Sequence, residues 1–362
     1  MGSYRNRRIL LQIIPFGVIP MIFSIIFSLI EKGILGDHPI YPATNNPYHF
    51  QIVLPAILSL VVGLIIGFFE VIYINRWFQK RRFIVKIVCK SLIYLSIVTI
   101  ATTIIVVSVN MLEVGISPFS SEMQLILTNI FFSLTVWSII LYFGFAIVIC
   151  LFYSEVSNHI GHVVLLNFFT GRYHQPIKEE RVYMFVDMKS STTFAENLGH
   201  ERYFQMLKEY YVDLTEPIVR HGGEIYQYVG DEVIITWQLK DAFANNSLNC
   251  FMAMKESLSR KAPKYKEKYG VVPTFKAAIH FGKVTTGEIG VMKREIIFSG
   301  DVLNTTARIQ GLCNTYQVDL LLSEKFVNAL GESPGIRPVA IGEVTLRGKN
   351  EKSKLFTVAL SE

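Results

Sequence analysis

The chain has 362 residues, 51% of them hydrophobic, and its 35 Lys and Arg outnumber 29 Asp and Glu to give a net charge of +6. A mean hydropathy of +0.37 excludes an ordinary soluble enzyme throughout, and the length admits two or three modules. A positive charge suits nucleic acid, but the basic residues of the first half cluster at the ends of apolar runs. They read as membrane anchors, which excludes nucleic acid as the partner.

The apolar excess lies in residues 1–152. Four runs there, Ile9 to Ile30, Ile52 to Ile74, Phe83 to Val109 and Gln124 to Phe152, are each at least 22 residues long, against the ~20 that a ~30 Å hydrocarbon core requires. They predict a multi-pass α-helical membrane domain in contact with lipid. Glu70, Lys86 and Lys90 fall towards run ends, where side chains reach the headgroups. With no ionisable residue in mid-membrane, a transport role is disfavoured, and Pro15, Pro20 and Pro55 read as ordinary prolines of membrane helices. Arg5, Arg7 and Arg8 precede the first run, and Arg76, Lys80, Arg81 and Arg82 separate the second from the third. The other two loops carry only Lys32. The positive-inside rule then puts both termini in the cytoplasm, with the protein in the cell (inner, cytoplasmic) membrane. The first run is too long for a signal-peptide core and lacks a small-residue cleavage site. The two outer loops, about 20 and about 14 residues, are too short for a folded ligand-binding domain.

Residues 153–180 read as a coupling helix and linker. Val156, Ile160 and Val163 extend a seam from Ile149 at alternating three- and four-residue steps, so a helix can run on beyond the fourth apolar run. A parallel two-helix coupler and a short amphipathic helix lying against the next module both fit. Gly171 and Pro176 close this helix.

Residues 181–360 have the composition of a globular domain. Val182 to Val186 is a strand, and Asp187 falls where it ends. A helical pattern from Thr192 to Arg220 closes at His221-Gly222-Gly223. Runs at Glu224 to Val229 and Val233 to Trp237 flank the turn signal Gly230-Asp231, a β-hairpin with an acid at its tip. A second helix over about Ala242 to Lys268 leads to a strand from Thr274 to Phe281, a turn at Gly282 and a further run around Val284 to Ile289. The order β-α-β-β-α-β is ferredoxin-like, an α+β arrangement that hosts many functions.

An aspartate at a strand end is usually a helix cap, and Gly-Asp is usually a turn. The pair is more informative: with the hairpin beside the first strand, Asp187 and Asp231 come to one sheet edge, as in sites that hold hard divalent cations. The stretch Lys189-Ser190-Ser191-Thr192-Thr193 then opens a helix whose free N–H groups suit phosphate, with Ser191 and Thr192 at its start. Together they point to metal-assisted phosphoryl chemistry on a nucleotide. The four cysteines show no CxxC spacing, so neither a disulfide framework nor a zinc site is indicated, and His280 reads as a core histidine.

Over about Arg181 to Val358 the chain resembles the class III nucleotidyl cyclases, whose catalytic domain has a ferredoxin-like, palm-type fold. The family's two metal aspartates fall on Asp187 and Asp231, and SGDVLNTTARIQ looks like its helix with an asparagine and an arginine one turn apart, here Asn304 and Arg308. Arg347-Gly348-Lys349 is similar to its phosphate-contacting segment, although a lysine in a charged loop also reads as a solvated one. The resemblance implies a cyclic monophosphate made from a nucleoside triphosphate, with two Mg²⁺ or Mn²⁺ ions held by Asp187, Asp231 and the Met188 carbonyl. It also implies a head-to-tail homodimer with sites shared between protomers.

Adenine-selective members carry a lysine and an aspartate where this chain has Gln227 and Ile297. Glutamine can donate to and accept from a base edge, whereas isoleucine can do neither. This favours ATP and leaves GTP or a pyrimidine triphosphate open. A nucleotide-binding membrane receptor without turnover is an alternative of another class. A linear or dimeric nucleotide synthase is disfavoured, because the turn Val-Gly-Asp-Glu lacks paired glycines.

Overall fold

The structure, a computed structural model, describes residues 3–35, 52–78, 81–113, 115, 117–238, 243–330, 336–346 and 352–360. The chain divides into a unit spanning Arg7–Leu166 and a second made chiefly of Asn167–Glu362.

The first unit is helical: α1 (Ser3–Leu35), α2 (Leu54–Phe69), a π-helical turn (Glu70–Ile74), α3 (Asn75–Phe78), α4 (Phe83–Glu113), α5 (Ser121–Phe131) and α6 (Leu134–Ile160). Among the described residues four stretches are long and apolar enough to cross a membrane: Ile9–Ile34, Leu54–Ile74, Phe83–Ala101 and Val136–Ile160. The run expected as one helix from Gln124 to Phe152 is two. Helix α5 stops at Phe131, and the Ser133 hydroxyl accepts from Val136 N at 3.2 Å to start α6. Helices α1 and α2 meet through small residues. A Cβ on Gly63 would lie 2.1 Å from Phe16 O, and one on Gly67 would lie 2.7 Å from Phe16 Cβ. This Gly-xxx-Gly spacing lets two backbones approach where lipid supplies no hydrophobic drive.

Two expectations fail in this unit. Glu70, Lys86 and Lys90 do not reach outward; they are buried and paired. Nor does one helix continue through the coupling segment: α6 ends at Ile160, and Gly161 adopts φ +99 before α7 (His162–Thr170). Only glycine takes that backbone freely, which is why the apolar seam did not reveal the break.

The second unit is built on a mixed sheet of β1 (Ile177–Met188), β2 (Glu224–Val229), β3 (Glu232–Gln238), β4 (Phe275–Ile289), β5 (Glu295–Ser299), β6 (Leu320–Ser323), β7 (Ile336–Thr345) and β8 (Lys352–Leu360). Its order is β2-β3-β1-β4-β6-β8-β7, with β5 on β4. The first four strands with α8 (Ser191–Leu198), α9 (His200–Arg220) and α10 (Phe243–Tyr269) form the ferredoxin-like β-α-β-β-α-β core. Central strand β1 is buried on both faces. Val182, Met184, Val186 and Met188 join α9 and α10 in the main core, while Tyr183 and Phe185 face Ile234, Val284 and Val302. Each such fully buried side chain contributes about 1.5–3 kcal/mol. Asp213 on α9 is buried and takes a 2.8 Å bond from the Tyr265 hydroxyl of α10, which locks the two helices together.

The helix expected from Thr192 to Arg220 is α8 and α9, divided at Gly199, whose φ is +73. Gly282 is no turn but lies inside the long β4. A Cβ there would sit 2.7 Å from Val302 Cγ2, so its glycine lets α11 (Asp301–Gly311) lie close on the strand. The last helix is α12 (Glu324–Ala329).

Candidate active site

The candidate metal carboxylates sit at one end of β1 and β3. Asp187 is paired in register with Glu232 of β3 on one side and Lys276 of β4 on the other. Asp231 occupies the two-residue turn between β2 and β3, where Gly230 has φ +64 and takes the first central position. Burial, first, pushes the Asp231 carboxyl above its ordinary range; the Asp187 charge adds to this and the Ser191 hydroxyl opposes it. The two carboxyls are close enough to hydrogen-bond one another. Glu232 is raised to about 7, by burial and then by the charges of Asp187 and Asp231.

The one cation at this edge with an ion pair to Asp187 is Lys276, whose Nζ lies 3.2 Å from Oδ2, among the described residues. Sequence reasoning missed it. Lys276 enters only through β1–β4 pairing, which no local pattern announces.

The edge therefore has acid in excess. Among the described residues no cluster of three or more His, Cys, Asp or Glu forms a closed metal cage. A hard Mg²⁺ site needs only one or two carboxylates, with water and substrate phosphate supplying the rest, so the pair fits such an ion. Met188 buries its side chain in the core, leaving only its backbone carbonyl to serve.

Beside the carboxylates, Ser190 holds a left-handed φ of +57 and makes no side-chain cap, and Ser191 starts α8. The Ser191 hydroxyl hydrogen-bonds Asp231, while Thr192 is exposed. Tyr211 of α9 was also missed by sequence reasoning. Its hydroxyl donates to Gly230 O at 2.9 Å, and its ring lies 4.5 Å from that of Tyr228, so the turn carrying Asp231 is pinned from both sides. Two more lysines lie nearby in sequence or sheet, Lys189 and Lys255, both paired with Asp319.

Asn304 and Arg308 lie one turn apart on α11, the first exposed and the second half-buried, opposite the Val302, Thr305, Thr306 and Ile309 face. Among the described residues neither bonds nor pairs with Asp187 or Asp231. Gln227 is exposed on β2, just after a bulge between Ile225 and Gln227. The bulge pairs Gln227 with Ile234, which puts it on the sheet face that bears Phe185 and Val302. Ile297 is half-buried on β5, opposite Gly287 of β4. Lys349 lies outside the described residues. His280 is buried with Nδ1 2.7 Å from Ser323 Oγ, as a core histidine would be.

Residues 173–361 match the family model described as the adenylate and guanylate cyclase catalytic domain. The chain is 36% identical over 209 residues to adenylate cyclase 2 of Rhizobium meliloti strain 1021, covering 58% of each protein. It is 27% identical over 187 residues to adenylate cyclase 1 of that strain, covering 50% of this chain and 28% of the relative. The chain thus spans little more than half of the first relative and under a third of the second. A bacterial light-regulated adenylyl cyclase structure superposes with a TM-score of 0.53 at 16% identity, over 62% of this chain and 65% of the other. The chain belongs to the adenylate and guanylate cyclase catalytic-domain family.

Proposed function

We propose that this chain is a membrane-anchored nucleotide cyclase that converts a nucleoside triphosphate, ATP by preference, into the 3′,5′-cyclic monophosphate and pyrophosphate. The observation that carries this reading is the acid-rich edge, where Asp187 and Asp231 share one end of the sheet beside the start of α8. Two divalent ions held by Asp187, Asp231 and the Met188 carbonyl would supply neutralisation of the triphosphate and a lowered pKa for the ribose 3′-hydroxyl.

In the reaction the 3′-hydroxyl loses its proton to solvent water, O3′ bonds to the α-phosphorus, and the bond from that phosphorus to the bridging oxygen breaks to release pyrophosphate. Arg308 sets its guanidinium against the charge growing on the α-phosphate, and Asn304 orients the ribose. The N–H groups of Ser191 and Thr192 face phosphate. Lys276 pairs with Asp187 and would be free to face phosphate with a divalent ion held by that carboxylate. Lys349 is assigned to the terminal phosphates by resemblance. Among the described residues Asn304 and Arg308 make no bond to Asp187 or Asp231 of their own chain, which supports a composite site in a head-to-tail homodimer. Gln227 meets the base, and Ile297 makes no polar contact with it. The catalytic unit faces the cytoplasm, where its substrate is, with both termini on that side.

The test is to incubate the full-length protein in lipid vesicles with ATP, GTP, CTP and UTP in Mn²⁺ and identify products by mass. ATP should give the cyclic monophosphate, and Asp231→Ala should abolish it. Nucleotide binding without product from any of the four would replace this reading with a binding-only receptor.

A further inference from the structure

Among the described residues of the helical unit, four charged side chains are buried. Glu70 is 0% exposed, Lys90 and Glu155 1% each, and Lys86 9%. Lys90 Nζ lies 2.5 Å from Glu70 Oε1 and 3.1 Å from Glu155 Oε1, and Lys86 Nζ lies 3.0 Å from Glu155 Oε2. The second Glu70 oxygen accepts from the Tyr94 hydroxyl at 2.7 Å, and Lys90 also reaches Asn75 Oδ1 at 3.3 Å. Two positive and two negative groups cancel, and each has a partner.

The network joins three helical segments. Glu70 opens the π-helical turn that follows α2, the two lysines stand on α4, and Glu155 stands on α6. A π turn is less favourable than continued α-helix and recurs where a side chain must be aimed; here it begins at the residue that enters the network. Lys86 and Lys90 are one turn apart on one face. Glu155 gives one oxygen to each, which fixes the axial register of α6 against α4.

Buried ion pairs add little stability over well-packed apolar residues, and their best-attested use is to specify register. This set also has more than one neutral pairing. Glu155 can release Lys90, which Glu70 still pairs, and keep Lys86, so α6 can shift along α4 in that direction without stranding a charge. Five residues after Glu155, α6 ends at Ile160, and the chain passes through Gly161 and α7 into the catalytic unit.

We propose that Glu70, Lys86, Lys90 and Glu155 form a register latch that holds the last membrane helix against its neighbours and thereby sets turnover in the catalytic unit. The latch rests on the cyclase reading. Its test uses the full-length chain in vesicles of phosphatidylethanolamine and phosphatidylglycerol. Two variants are compared with wild type: Glu155→Gln, which leaves Lys86 without its carboxylate, and the fourfold E70Q/K86M/K90M/E155Q, which removes every charge and strands none. The second keeps the test sound if the first fails to fold. The latch predicts a kcat changed by roughly fivefold or more in the fourfold variant, with KM for the nucleotide and the melting temperature of the catalytic unit unchanged. Wild-type kcat per folded molecule in that variant overturns the latch and leaves the network as a structural staple. A wild-type chain that forms no cyclic product overturns the cyclase reading, and the latch with it, so the two failures are told apart by which protein is silent.

Discussion

Among the described residues the molecule has a buried cluster of acids and a half-buried one, and they differ in charge balance. In the helical unit Glu70 and Glu155 are matched by Lys86 and Lys90 within 3.1 Å or less, and no charge is left over. In the catalytic unit Asp187, Asp231 and Glu232 crowd one strand end with Lys276 paired to a single oxygen. The first cluster is electrically complete and can only position helices. The second is incomplete, and in it burial first and neighbouring negative charge next raise the affinity of Asp231 and Glu232 for protons. Excess of one sign therefore marks a candidate ligand site, and balance marks a cluster that positions helices.

The largest effect should come from splitting the catalytic site between chains. Asp187→Ala and Arg308→Ala should each lower kcat by about 100-fold or more, because each removes charge stabilisation worth roughly 3–4 kcal/mol. Mixing the two inactive chains should return roughly a quarter of wild-type activity, since half the dimers pair unlike chains and each of those keeps one intact site. An assay of the co-expressed mixture checks this, and no recovery would show that both halves of a site come from one protomer.

A smaller effect sharpens the contrast in charge. Asp231→Asn removes one of the crowded acids while keeping an oxygen for Ser191, so it should raise the metal-free melting temperature at pH 8 by about 2–4 °C. Mg²⁺ should raise the wild-type value by a similar amount through mass action and leave Asp231→Asn nearly unmoved. Thermal unfolding with and without a chelator measures both. Equal Mg²⁺ responses would mean that the ion does not bind at this edge.

Residues that announce themselves through local chemistry were legible in the sequence. The strand that carries Asp187 and the hairpin tip at Asp231 follow from periodicity and turn signals, the helix with Asn304 and Arg308 from the family resemblance alone, and each of these elements is present in the structure. What stayed hidden depends on pairing between distant segments. Lys276 reaches Asp187 only through β1–β4 register, and Glu155 joins Lys86 only through helix packing across 69 positions. Hydropathy treats Lys90 as a flaw near a run end, because it carries no information about a glutamate on another helix. Gly282 reads as a turn for the opposite reason. Its lack of a side chain serves a close helix contact rather than a bend.

The smallest effect tests how firmly the incomplete cluster is held. Tyr211 supports the Gly230–Asp231 turn by its hydroxyl, shared between Gly230 O and Glu232 O, and by a tilted ring contact with Tyr228. Tyr211→Phe keeps the ring and removes the bond, so stability should fall by about 0.5–1.5 kcal/mol. Because the turn places one of the two carboxylates proposed to hold metal, the loss should appear more strongly as a higher Mg²⁺ concentration for half-maximal activity than as a lower kcat at saturating metal. A variant with normal metal dependence and only reduced stability would show that backbone pairing of β2 with β3 is enough to place Asp231. The Tyr211 hydroxyl would then be a fold contact with no part in readying the site.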